Sequence, residues 1–63
     1  MTKDQKELIR ELRRLAGERE LRVEPGRGKG SHIRVYLDGR VTTIPAKVKT
    51  GTRRAILKQL GLA

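Results

Sequence analysis

Leu8, Ile9, Leu12, Leu15 and Ala16 recur at the spacing of one face of an α-helix, with polar and charged residues between them. Thr2-Lys3-Asp4-Gln5 just ahead reads as a capping box, Thr2 at the N-cap and Gln5 reaching back from N3. Gly17 supplies a stop, so the pattern predicts a helix over about residues 3–16. Glu7 with Arg10, and Glu11 with Arg14, stand three apart on its outer face. The rhythm then changes to two. Leu21-Arg22-Val23-Glu24 alternates until Pro25-Gly26 and predicts a short strand running into a loop. Ile33, Val35 and Leu37 alternate with His32, Arg34 and Tyr36 to give a second strand. Asp38-Gly39 is a type I′ hairpin signal, because both central residues of that turn need positive φ. Arg40 to Ile44 forms the return strand and Pro45 ends it. Beyond the basic connector Lys47-Val48-Lys49, Ile56, Leu57 and Leu60 form the stripe of a second helix. Thr50 or Thr52 is its candidate cap, and Gly61-Leu62 predicts a Schellman ending.

A two-residue hairpin turn determines the pairing by arithmetic. Leu37 faces Arg40, Val35 faces Thr42 and Ile33 faces Ile44, all on one side of the sheet. Tyr36 with Val41, and Arg34 with Thr43, fall on the other side together with His32. By the same parity Arg22 and Glu24 join them whenever Leu21 and Val23 are buried. The expected architecture is α+β, in the order α-β-β-β-α. A three-stranded antiparallel sheet carries both helices on one face, within a single domain over residues 1–63.

Composition narrows the class of partner. Sixteen Lys and Arg against seven Asp and Glu give a net charge of +9, a field that favours polyanions. Neither helix pairs its basic face with aromatic anchors, which argues against a membrane surface. There is no cysteine, and no apolar run approaches the roughly 18 residues of a membrane span, so a soluble cytoplasmic protein is expected. Tyr36 is the only aromatic residue, too few for the stacking platforms of most single-strand binders. Binding of structured RNA by shape, through its phosphates, remains open.

Candidate chemistry gathers at Gly28-Lys29-Gly30-Ser31-His32. The run superficially resembles a phosphate-binding P-loop, but a strand follows it where a P-loop needs a helix. Glycines let backbone approach a phosphate, and Arg27 and Lys29 add charge. His32 is the only histidine; one histidine and no cysteine make a poor metal-ligand set, so no metal or other cofactor is expected. Ser31 and His32, as strand neighbours, point to opposite faces and are unsuited to acyl transfer. RNA cleavage needs neither, because the 2′-hydroxyl of the substrate can attack the adjacent phosphate. His32 would move a proton while Arg27, Lys29 and Arg34 hold the phosphate, and Gly30 and Tyr36 complete the expected RNA-binding set. The competing readings are a non-catalytic basic module that binds structured RNA, and a purely structural miniprotein.

The whole pattern resembles the HicA-type toxins of bacterial and archaeal toxin–antitoxin pairs. The resemblance rests on the element order, on Gly28 to His32 opening the second strand, on Thr42-Thr43-Ile44-Pro45, and on Gly51-Thr52-Arg53-Arg54-Ala55-Ile56-Leu57-Lys58-Gln59-Leu60-Gly61-Leu62. It implies a double-stranded-RNA-binding-domain-like fold and a metal-independent mRNA endoribonuclease of a type II toxin–antitoxin system, which blocks translation. It implies further that His32 is the catalytic histidine, that Gly30 and Ser31 shape the start of its strand, and that a cognate HicB-type antitoxin covers the site. The chain departs from the pattern where many relatives have a histidine after the proline of the third strand; here it is Ala46. It also reads Gly17-Glu18 where many have glycine–tryptophan.

Overall fold

The computed structural model describes residues 1–26 and 32–63. Its elements are α1 (Lys3–Ala16), β1 (Leu21–Pro25), β2 (Ile33–Leu37), β3 (Arg40–Ile44) and α2 (Thr50–Gln59). The three strands form one antiparallel sheet in the order β1-β2-β3. Asp38 (φ 50°) and Gly39 (φ 77°) take the two positive φ values that the hairpin demands. Every β2–β3 pair then follows: Leu37 with Arg40, Tyr36 with Val41, Val35 with Thr42, Arg34 with Thr43 and Ile33 with Ile44. On the other side β1 sets Arg22 against Tyr36 and Glu24 against Arg34, and continues one residue further than its alternation suggests, to Pro25 opposite Ile33.

Alternation along β2 separates two environments. Ile33, Val35 and Leu37 are buried with Ile44 of β3 beneath the helices. Leu8, Ile9, Leu12 and Ala16 of α1 and Ile56, Leu57 and Leu60 at and just beyond the end of α2 complete this core. Among the described residues no helix covers the opposite sheet face: Arg22, Arg34 and Thr43 are exposed, and Val41 is 52% exposed. Leu15 is a correction to the predicted stripe, since it is 40% exposed. Three residues past Leu12, it is rotated about 70° from the centre of the buried arc, just outside the edge that Leu8 marks.

The capping box forms as expected: Thr2 Oγ1 accepts from the Gln5 amide N–H (3.2 Å) and Gln5 Oε1 accepts from the Thr2 N–H (2.9 Å). It also does something local rules do not anticipate. Thr2 Oγ1 donates to the Ala46 carbonyl (2.6 Å), Gln5 Nε2 donates to the Ile44 carbonyl (3.2 Å), and Asp4 Oδ2 accepts from the Val48 N–H (3.0 Å). The start of α1 is thereby stitched to the exit of β3. Pinning Val48 sets where α2 can begin, and its N-cap is Lys49, with no side-chain capping bond, rather than Thr50 or Thr52. The other end follows expectation, with Gly61 at φ 74° and the Leu62 N–H bonded to the Leu57 carbonyl at 2.8 Å.

Glu11 is 4.0 Å from Arg14, but its closer partner is Arg53 of α2, which holds both carboxylate oxygens. Hydrogen bonding to Arg53 lowers the Glu11 pKa from its ordinary 4.5, with the charges of Arg53 and Arg14 adding to the effect. A carboxyl group whose pKa is depressed on folding stabilises the fold above its unfolded pKa, and this contribution is lost as pH falls through the folded value. Acidification below about pH 4.5 should therefore lower the Tm more in the parent than in Glu11→Gln. The difference should be only a few degrees, because the pair is partly exposed and screened. Thermal melts of the two proteins from pH 7 to pH 3 test this; parallel acid limbs would rule it out.

Candidate functional site

The open sheet face becomes concave where β1 ends and β2 begins. Glu24, Pro25, Gly26, His32, Arg34 and Thr43 line a cleft of about 490 Å³ there. Strand parity accounts for its composition. His32 immediately precedes buried Ile33, so it shares the side of Arg34, two residues on, and not that of the core. The β1–β2 register brings Glu24 opposite Arg34, and the β2–β3 register brings Thr43 to its other flank. An imidazole, a carboxylate, a guanidinium and a hydroxyl thus meet from three strand segments.

Two of these groups are held by neighbours. Glu24 Oε1 lies 2.6 Å from Arg22 Nη2, and the Arg22 guanidinium stands over the Tyr36 ring, 5.5 Å from its centroid. The Arg34 pKa is raised above its already high value, first by a side-chain hydrogen bond with Tyr36 and in lesser part by Glu24. Arg34 is a permanent cation, which suits it to a phosphate rather than to proton transfer. Gly26 lines the cleft against the His32 backbone. A Cβ there would overlap the carbonyl oxygen of His32 and stand 3.2 Å from its carbonyl carbon, so only glycine leaves the His32 backbone where it is.

Of the residues singled out from sequence, His32 and Arg34 line the cleft, while Tyr36 stands beside it, half-buried and engaged with Arg22 and Arg34. Arg27, Lys29 and Gly30, with Gly28 and Ser31, lie outside the described residues. Sequence reading put Glu24 on the correct face but did not place it in the site, and it overlooked Gly26. The signal for Glu24 was available in its parity. Gly26 needed the three-dimensional approach of two backbone segments. Among the described residues no cluster of three or more His, Asp or Glu side chains could hold a metal ion. No helix among them is long and apolar enough to cross a membrane.

Comparison with known proteins gives two matches. Residues 6–62 match the family described as "HicA toxin of bacterial toxin-antitoxin". A curated protein of Pseudomonas fluorescens (strain Pf0-1), "Probable mRNA interferase HicA", is 46% identical over 44 residues, which cover 64% of this chain and 73% of that one. No solved structure matches significantly.

Proposed function

The chain belongs to the HicA toxin family, and on that premise we propose that it is an mRNA endoribonuclease whose active site is the cleft around His32. The observation that carries this reading is the meeting of His32, Glu24 and Arg34 in one concavity of a chain of net charge +9. In the reaction, the 2′-hydroxyl oxygen of the RNA attacks the adjacent phosphorus. A P–O2′ bond forms as the P–O5′ bond breaks. One proton leaves the 2′-hydroxyl and another reaches the departing 5′-oxygen, so the products end in a 2′,3′-cyclic phosphate and a 5′-hydroxyl. His32 handles one of these transfers, and among the described residues of the cleft Glu24 is the other group suited to carry a proton. Arg34, with Arg27 and Lys29, offsets the charge that builds on the phosphate. Thr43 offers its hydroxyl as a hydrogen-bond donor at the same place.

These roles are filled by side chains, so cleavage requires no metal ion. The substrate is mRNA in the cytoplasm, and its loss blocks translation. A HicB-type antitoxin neutralises the enzyme by covering the cleft. Its contact surface would carry carboxylates to meet Arg22, Arg34 and the cations of the 27–31 segment.

The direct test is to incubate the purified chain with end-labelled RNA in excess EDTA. Cleavage into fragments ending in a 2′,3′-cyclic phosphate is expected. Salt-dependent binding without any cleavage would replace this reading with the non-catalytic, shape-recognising module.

A further inference from the structure

Charge on α1 is sorted by side. At about 100° per residue, Lys3, Lys6, Arg10, Arg13 and Arg14 fall within an arc of about 100° turned away from the core. All five are exposed. Of the acids of α1, Asp4 bonds the connector at Val48 and Glu11 bonds Arg53, while the exposed Glu7 borders the stripe, about 20° from Arg14 on the helical wheel. Among the described residues the stripe has a single ion pair, the long 4.0 Å contact of Arg14 with Glu11. Like charges three and four apart on a helix repel by about 0.2–0.5 kcal/mol per pair, so this arrangement costs the free protein stability. Mixing the acids into the stripe would have removed that cost.

We propose that this stripe is a second nucleic-acid surface, separate from the cleft, which docks double-helical segments of RNA through their phosphates. The proposal rests on the reading that the chain acts on RNA. From Lys3 to Arg14 the stripe runs about 16 Å at 1.5 Å per residue. A nucleic-acid duplex presents roughly one charge per 1.7 Å of its axis, so every cation of the stripe has phosphates within reach. The stripe contains no aromatic residue, and without stacking platforms it has little to offer a flexible single strand. α1 packs on the sheet face opposite the cleft, so docking leaves His32 open. A stem held on α1 keeps the RNA near an enzyme that cuts elsewhere on the same molecule.

The test measures binding of a blunt 20-base-pair RNA duplex to a His32→Ala chain over a range of salt concentrations. One variant adds Lys3→Glu, Lys6→Glu and Arg10→Glu, which avoid the last turn and do not oppose the helix dipole. A control adds Lys47→Glu, Lys49→Glu and Lys58→Glu instead. Each exchange removes two charges, so both triples go from +9 to +3 (9 − 6). The stripe variant should bind the duplex at least about 30-fold more weakly at 0.1 M salt, with a log–log salt slope smaller by about 2.7. The control should lose less than about one third of that slope change. Equal losses in both triples would reduce the effect to net charge and overturn the proposal, as would unchanged duplex binding in the stripe variant. Retained duplex binding with lost binding of polyglutamate would assign the surface to an acidic protein instead. Circular dichroism verifies that both variants keep their helices, and if charge reversal disturbs α1, three neutral Gln substitutions at the stripe positions, which remove the same three phosphate contacts, should still reduce the slope by about 2.7. Because the readout is binding without His32, it stands or falls separately from the cleavage assay.

Discussion

His32→Ala is expected to lower the rate of RNA cleavage by about 10²–10⁴-fold, the usual range for removing a group that transfers a proton in the transition state. The fold should survive. His32 is exposed, lies outside the core and flanks a strand whose register is held by Ile33, Val35 and Leu37. RNA affinity should change little, because Arg34 and the other cations remain. The prediction is therefore a fall in kcat with nearly constant KM, read alongside an unchanged melting curve. A neutral alanine that cuts as fast as the parent would remove His32 from the reaction. A parallel fall in kcat and binding would make it a phosphate ligand. Glu24→Gln refines the outcome: a second large loss in kcat assigns Glu24 the other proton transfer, and none leaves that transfer to water.

Gln5→Leu should destabilise the domain by about 2 kcal/mol, although it places a larger apolar group on the buried face of an amphipathic helix. Gln5 lies between Leu12 and Ala16 on the helical wheel and is fully buried, so periodicity alone favours leucine there. Its amide, however, serves the Thr2 N–H and the Ile44 carbonyl at once. Leucine is apolar and satisfies neither, and each lost hydrogen bond is worth about 1 kcal/mol before the added cost of desolvating the abandoned partners. For a chain this short, a 2 kcal/mol loss lowers the Tm by about 8–16 °C. A Gln5→Leu protein that melts at or above the parent temperature would show that burial outweighs the bonds. The same bonds tie α1 to the end of β3, so loosening them should loosen the Ile44–Ala46 segment before the rest of the sheet.

Much of the site was legible because strand parity is a local rule. Once Asp38-Gly39 fixes a two-residue turn, each side chain of β2 and β3 has its face assigned, and His32, Arg34 and Tyr36 cannot lie with the core. The composition of the cleft was less legible. That Glu24 stands opposite Arg34 and is held by Arg22 depends on the β1–β2 register, and the loop between those strands does not dictate it by any short-turn rule. Gly26 was invisible for a similar reason: its requirement comes from a carbonyl six residues away.

By itself the sequence determined the element order, the capped start of α1, the hairpin register and the Gly61 ending of α2. Each depends on residues within a few positions of one another, where backbone sterics and hydrogen-bond geometry act without reference to the rest of the chain. Tertiary structure alone decided that Lys49 precedes α2, that Leu15 stays exposed, that Glu11 turns to Arg53, and that Gln5 is a buried tie to β3. These outcomes depend on where elements distant in sequence come to rest, and the relative placement of two packed faces is not written in the period of either one.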